Sequence, residues 1–425
     1  MRLLYSIGIV LYGLLLRILT PFHAKARLMV KGRKDWYSKM KQTVDTSQKH
    51  IWFHFASLGE FEQGRPVLEA VKNNYLDHKI IVTFYSPSGY EIRKNTDLAD
   101  YVFYLPYDTA KNARLFLDLV NPSFVLFTKY EYWYYFFEGL HKRSIPLYLI
   151  SAIFRPEQIF FQAYGTFFLK ILSYVTYFFV QNEESVRLLK EFGIRNASLA
   201  GDTRFDRVVN LPKNRRMIPE IAQFIGDSPV LVAGSTWPED EQILQELFEG
   251  YANYKLILAP HEINESHLTS IFNLWPTALR FSKMATYSAT GVAESNVLVI
   301  DNIGMLSSLY GYGQMAYIGG GFGVGIHNTL EAATYGIPVL FGPNFKKFQE
   351  AKDLVENGSG FSIANSKQLK NVFCRLQDQS ACQEAGKLAR AYVLQKAGAT
   401  QIIMKYLKGA SVNIKKSEEE SSDHD

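Results

Sequence analysis

The chain has 425 residues, 47% of them hydrophobic, 20% charged and 14% aromatic, with a formal net charge of +5. That length builds two or three cores, and the composition excludes a disordered or fibrous chain. Two cysteines, Cys374 and Cys382, exclude a disulfide framework and offer no metal-ligand spacing; they read as free thiols in a reducing compartment. No Lys/Arg stripe interleaved with aromatics is present, which argues against nucleic acid as a partner. Ser417–Asp425 alone holds five carboxylates, so the rest of the chain is more basic than the total and suits a membrane surface or an anionic substrate.

The first element is an uncharged run from Leu3 to Leu16, followed by Arg17. By itself it falls short of the roughly 20 residues a bilayer span requires, but a run reaching Phe22 suffices if Arg17 snorkels. His23, Lys25, Arg27, Lys31, Arg33 and Lys34 follow, a basic flank that belongs on the cytoplasmic side. Ala24–Ala26 imitates a signal-peptide cleavage site, yet Arg17 interrupts the apolar run and no disulfide-rich domain follows. Residues 1–35 are therefore read as an uncleaved anchor or an interfacial helix with the body in the cytoplasm.

Short apolar runs at 51–55, 79–85, 124–128, 146–152 and 174–181 then alternate with helical patterns. This is the signature of a parallel sheet covered on both faces. The pattern lapses from Asp206 to Ser228 and restarts with runs at 229–235, 254–260, 296–301, 315–320 and 338–342. Two consecutive α/β units joined by a linker predict two Rossmann-like lobes facing across a cleft, over 36–210 and 211–408. Residues 409–425 read as a disordered acidic tail.

Candidate site residues lie at the ends of the predicted strands, where open α/β sheets bind ligands. Glu60 follows the first strand in "ASLGE", where loop becomes helix. It is either a carboxylate stabilised by the helix N-terminus or a general base. Ser86, Ser88 and Gly89 repeat the format after the second strand, suited to a phosphate or to sugar hydroxyls. Lys129, Glu131 and Trp133 stand at the end of the third. In the second unit, "GGGFGVGIHNTLEAATYGIPVLFGP" (319–343) fits neither the dinucleotide nor the triphosphate glycine spacing. Asn328 and Glu331 have capping-box spacing, and Gly336 with Pro338 ends the predicted helix. The glycines either make a tight turn or let a phosphate approach the helix start, with Glu331 on a ribose diol. His54, His261 and His327 have no partner at ligand spacing, so neither a metal nor a cofactor is expected.

These segments also come in a telling order. "ASLGE", "SPSGYE", "YEYW", "HKRSIPLYLISA", "QNEESVRLLKEFGI", "GDTRFD", "AGSTWPEDE" and the long segment ending in "HNTLEAATYGIPVLFGP" together resemble the 3-deoxy-D-manno-octulosonic acid (Kdo) transferases, from about residue 1 to about 405. The resemblance implies a GT-B fold and an inverting, metal-independent transfer of Kdo from CMP-Kdo to a lipid A precursor at the cytoplasmic face of the inner membrane. It implies Glu60 as catalytic base, and an acceptor side formed by Ser86, Ser88, Gly89, Glu131 and Trp133. The donor side would comprise Gly234, Ser235, Thr236, His261, Gly320, Gly321, His327, Asn328 and Glu331. This chain departs from the family pattern at "APHEI", where an expected arginine contact is missing or replaced by His261, at Lys129–Tyr130, and at Asp202. The alternatives are another GT-B enzyme using a UDP-sugar, whether glycosyltransferase or epimerase, or a non-catalytic membrane-tethered nucleotide-sugar-binding module.

Overall fold

A computed structural model of the chain describes residues 1–251 and 253–422, with 411–422 as backbone only. Contacts divide it into two compact units, Met1–Arg207 with the segment from Ala397 onward, and Val208–Lys396.

The first unit holds a seven-stranded sheet: β1 (Lys49–Phe55), β2 (His78–Phe84), β3 (Tyr101–Tyr104), β4 (Pro122–Thr128), β5 (Leu147–Ala152), β6 (Tyr177–Val180) and β7 (Ala197–Leu199). Its order is β3-β2-β1-β4-β5-β6-β7, and every pairing is parallel. The second unit repeats the plan with β8 (Val230–Thr236), β9 (Lys255–Pro260), β10 (Leu279–Arg280), β11 (Val297–Val299), β12 (Met315–Ile318), β13 (Val339–Phe341) and β14 (Gly360–Ser362). There the order is β10-β11-β9-β8-β12-β13-β14, again all parallel. The long apolar runs of the sequence are the central strands. The two-to-four-residue edge strands β3, β7, β10 and β14 escape sequence reading because so few residues carry no periodicity.

In each sheet the chain builds to one side of a strand and then crosses to its other side, so connections diverge at a switch point: between β1 and β4 in the first unit, and between β8 and β12 in the second. Ligand crevices form outside the carboxyl ends of strands at that place. In the first unit the surrounding helices are α1 (Arg2–Leu19), α2 (Ala24–Arg33), α3 (Trp36–Thr43), α4 (Leu58–Asn74), α5 (Pro87–Arg93), α6 (Ala110–Val120) and α7 (Tyr134–Lys142).

Two buried charges hold this end of the first sheet. Arg33 of α2 donates to the backbone carbonyls of Met29, Tyr85 and Leu105, and its guanidinium lies 4.8–5.1 Å from the ring centres of Tyr85, Tyr104 and Tyr107. Those bonds tie α2 to the exits of β2 and β3. Asp108 accepts the N–H groups of Tyr135 and Phe136, both at 3.0 Å, which anchors the first turn of α7.

The carboxyl-terminal helix, Ala399–Ser422, belongs with the first unit, although the linear reading closed the second at 408 and treated 409–425 as a tail. Ile403, Met404 and Leu407 are buried against Val67, Leu68 and Val71 of α4, so the helix is a covering layer of the first sheet and its backbone continues to Ser422. Residues 423–425 lie outside the described residues. Asp206 starts the helix by accepting from Gly398 N–H (2.5 Å), Thr400 N–H (2.7 Å) and the Thr400 hydroxyl (2.8 Å). Loss of such a cap costs about 1–2 kcal/mol. Asp206→Ala should therefore lower the chain's stability by that amount in denaturant unfolding, with faster amide exchange concentrated in 399–410.

Candidate functional site

In the first unit the switch point brings the loop after β1 beside the loop after β4. Ser57 caps α4 by accepting from the Glu60 N–H at 3.4 Å, and the Glu60 carboxylate reaches back to accept the Ala56 N–H at 2.6 Å. This reciprocal arrangement holds the half-buried carboxyl at the strand end. Burial pushes the Glu60 carboxyl up to about 7; the Ala56 N–H opposes that rise, the neighbouring Glu131 carboxylate adds to it, and Lys129 opposes it. Lys129 itself sits in the left-handed region at φ +60°, turning the chain sharply out of β4.

Glu131 is gripped from two sides. Trp133 Nε1–H donates to its Oε2 at 2.8 Å, and His54 Nε2 lies 3.4 Å from the same oxygen. His54 is fully buried in β1, directly across from Thr83 of β2 in the strand register. Its Nδ1 is 2.8 Å from the Thr83 hydroxyl, which also accepts from Trp52 Nε1–H at 2.8 Å. One proton arrangement satisfies every group: Trp52 donates to Thr83, Thr83 to His54 Nδ1, and His54 Nε2–H to Glu131. Burial lowers the His54 pKa, in keeping with a neutral ring in this chain. The sequence carries little signal of this relay: His54 and Thr83 are single polar residues within the apolar stretches Ile51–Phe55 and Ile80–Phe84.

The remaining first-unit residues are placed as follows. Ser86 caps α5, accepting from Ser88 N–H at 3.3 Å and lying 3.1 Å from the Ser88 hydroxyl. Gly89 is buried against Phe84, where a Cβ would stand 2.3 Å from the ring. Trp133 stacks on Tyr85 at 4.8 Å, which carries the loop after β4 onto the exit of β2. Asp202 accepts from Gln63 Nε2 at 2.7 Å and pairs with Arg204 at 2.7 Å.

In the second unit, Gly234, Ser235 and Thr236 end β8 beside the loop that leaves β12 with Gly319–Gly321. Ser235 adopts φ +55°, and the register with β9 shifts there. A Cβ on Gly319 would stand 2.3 Å from the Ser235 carbonyl oxygen, and Gly320 takes φ +90° while donating its N–H to Asp240 at 2.8 Å. Gly321 lies against the Gly342 backbone. Much of the glycine run is thus demanded by the crowding of strand ends, so the case for a ligand falls on the side chains around it.

Those side chains form a stack. Trp237 lies on His261 with ring centres 4.9 Å apart, and His261 lies on His327 at 4.4 Å. Trp237 Nε1–H donates to His327 Nε2 at 3.3 Å, and burial, helped by His261, lowers the His327 pKa. His261, the middle ring of the stack, is exposed. Asp240, not singled out in the sequence, organises the region by accepting from Trp237 N–H, Gly320 N–H and the Tyr317 hydroxyl. Thr236 donates to Glu241 at 2.9 Å.

The expected helix start at Asn328 is displaced by one residue. Thr329 is the cap, and the helix is a single turn, Leu330–Ala333, before Gly336 leaves it at φ +74°. Asn328 instead accepts from Leu330 N–H at 3.1 Å and donates to Glu331 at 3.2 Å. So short a turn contributes little dipole, and an anion here would depend on individual N–H groups and imidazoles. The buried Thr329 hydroxyl has no hydrogen-bond partner among the described residues. Among those residues no group of three or more His, Cys, Asp or Glu gathers in a metal-binding arrangement.

Residues 30–207 match a family model described as 3-deoxy-D-manno-octulosonic-acid transferase (kdotransferase). A 3-deoxy-D-manno-octulosonic acid transferase of Aquifex aeolicus is 28% identical over 77% of this chain and 86% of its own. One from Rickettsia felis is 27% identical over 78% of this chain and 72% of its own. Among solved structures, the UDP-GlcNAc 2-epimerase of Methanocaldococcus jannaschii aligns with a TM-score of 0.53 and 16% identity, covering 81% of this chain and 98% of that one. At that identity the likeness is one of fold: two Rossmann-like α/β units of the GT-B type.

The raised Glu60 pKa has two measurable consequences. Between the ordinary 4.5 and about 7 the folded chain holds a proton that the unfolded chain releases, so this group's stabilising contribution is complete below the ordinary value and is lost as pH rises through about 7. Glu60→Gln should remove that dependence, which thermal unfolding across pH will read. A reaction using Glu60 as base should gain rate as pH rises through about 7. Glu131→Gln, which takes away a like charge, should move that limb to lower pH in a pH–rate profile.

Proposed function

From the match of residues 30–207 to the 3-deoxy-D-manno-octulosonic-acid transferase model and the likeness to the Aquifex aeolicus transferase, we propose that the chain is a member of that family and transfers Kdo from CMP-Kdo to a lipid A precursor, with inversion and without a metal ion. The observation that carries this reading is Glu60. It is a half-buried carboxyl at the switch point of the first sheet, pushed up to about 7, beside a second carboxylate that two donors hold in place. A general base works best when its pKa lies near the working pH.

In this reading the acceptor occupies the first unit, near Ser86, Ser88, Glu131 and Trp133. Glu60 takes the proton of a glucosamine hydroxyl as that oxygen bonds to the anomeric carbon of Kdo. The bond from that carbon to the CMP phosphate oxygen breaks on the opposite face, through an oxocarbenium-like state, and its electron pair leaves with the phosphate. The donor occupies the second unit, with its phosphate near Gly320, Gly321 and Asn328 and its ribose on Glu331. Charge on the departing phosphate is met by loop N–H groups, by Ser235, and by the exposed face of the His261–His327 stack, while the buried Thr236 hydroxyl stays on Glu241. The transfer is placed at the cytoplasmic face of the inner membrane, approached through α1.

Two measurements test the assignment. Glu60→Gln should leave CMP-induced thermal protection nearly intact while turnover of CMP-Kdo with lipid A precursor falls by a factor on the order of 10² or more; near-normal turnover in that variant would sink the base assignment. CMP should raise the melting temperature where UDP does not. Protection by UDP alone would move the reading to a UDP-sugar enzyme. Product formed in the presence of a chelator is the expected outcome for a metal-independent transfer.

A further inference from the structure

Helix α1 is long and apolar enough to cross a bilayer by composition, yet only one of its faces is free. Its other face lies along the first unit from end to end. At its start, the Tyr5 hydroxyl donates to Asp108, Ser6 bonds the Tyr135 hydroxyl, and the Tyr5 ring packs on Tyr134, Tyr135 and Phe167. Two turns later Tyr12 stacks on Tyr85 and meets Tyr107 edge-on, and Leu16 is buried with Ala26 and Met29. A bilayer-crossing helix has lipid all round it or other spans beside it. One held along its length by a polar-surfaced α/β unit cannot enter the hydrocarbon core without tearing off that unit.

The free face is an apolar stripe at helical spacing: Leu4, Ile7, Leu11, Leu14 and Ile18 are 45–63% exposed, and Phe22 beyond the helix is 86% exposed. Residues 1–34 contain no Asp or Glu. At the carboxyl end of the stripe, Arg17, Arg27, Lys31 and Lys34 line a concavity of about 580 Å³. An apolar stripe ending in a basic hollow complements the acyl boundary and the phosphates of an anionic leaflet.

We propose that α1 does not span the membrane but lies in the plane of one anionic leaflet, with the Leu4–Ile18 stripe in the acyl boundary and the Arg17–Lys34 hollow on headgroup phosphates. This rests on the membrane partner named under the proposed function and adds its geometry. It also bears on the acceptor. Tyr12 contacts Tyr85, Tyr85 stacks on Trp133, and Trp133 bonds Glu131. The acceptor side chains therefore sit two aromatic rings from the inner face of the interfacial helix. A lipid acceptor would present its sugar there while its acyl chains stay in the leaflet.

The test uses the full chain with Cys374 and Cys382 replaced by serine and an environment-sensitive fluorophore on Leu4→Cys, Leu11→Cys or Ile18→Cys. It is mixed with phosphatidylcholine vesicles with or without phosphatidylglycerol, and depth is read with shallow and deep lipid quenchers. Equal, shallow depths at all three positions are expected. A label at position 11 near the bilayer centre, with 4 and 18 shallow, overturns the proposal in favour of a span. The triple variant Leu4→Gln, Leu11→Gln, Ile18→Gln changes only exposed side chains and should keep its melting temperature while vesicle partitioning falls on the order of tenfold or more. Unchanged partitioning overturns the stripe, as does a wild-type dimer that the triple variant dissolves and that ignores vesicles. Arg17→Gln with Lys31→Gln should erase the preference for phosphatidylglycerol, and millimolar inorganic phosphate should not. Competition by free phosphate, or equal binding to both vesicles, overturns the headgroup assignment. Vesicle binding that persists without CMP protection would leave this inference standing and remove the functional reading instead.

Discussion

A parallel sheet that winds outward in both directions from a central strand must part its connecting segments where the direction reverses. That topological constraint governs everything functional in this chain. In the first unit it opens between β1 and β4 and sets Ala56–Glu60 beside Lys129–Trp133. In the second it opens between β8 and β12 and sets Gly234–Thr236 beside the glycine loop. The central strands are buried on both faces, so most of the polar chemistry lies at the strand ends, with the His54–Thr83–Trp52 chain an exception inside the first sheet.

At the first of these openings, electrostatics follows from packing. Glu60 is held by a helix-capping interaction that any α4 could use, but its partial burial makes the carboxylate form costly. A second carboxylate nearby would ordinarily swing away from it. Glu131 does not, because Trp133 and His54 hold one of its oxygens, and His54 is in turn oriented by Thr83 and Trp52. A chain of donors running through the sheet interior thus keeps two like charges close. Each group in that chain is satisfied, which is what makes so much buried polarity tolerable.

The second opening tells a different story about glycine. Gly319 and Gly320 are needed to let backbone pass backbone and to free an N–H for Asp240, requirements that exist with or without a ligand. The features not accounted for by backbone crowding are the Trp237–His261–His327 stack and the Asn328–Glu331 pair. Helix α1 likewise owes its placement to contacts, since Tyr5, Ser6 and Tyr12 tie one face of a generic apolar helix to a specific surface.

What the amino-acid sequence by itself determined was the class and much of the parts inventory. Alternating apolar and helical runs specify two parallel α/β units, because that pattern has few other ways to bury itself. The strand-end positions of Glu60, Glu131 and Thr236 follow from the same alternation. Local spacing placed a helix start at Asn328 but missed the cap by one residue, at Thr329, where a single turn is too short to impose its own register. Only the tertiary structure decided who meets whom. His54 and Glu131 stand 77 residues apart in sequence and become neighbours through the β1–β4 pairing. The carboxyl-terminal helix returns to cover the first unit because Ile403, Met404 and Leu407 find their apolar partners on α4. Length and apolar content mark a helix that could cross a membrane, but which of its faces remains free depends on contacts with Asp108, Tyr85 and Tyr107 that no local pattern encodes.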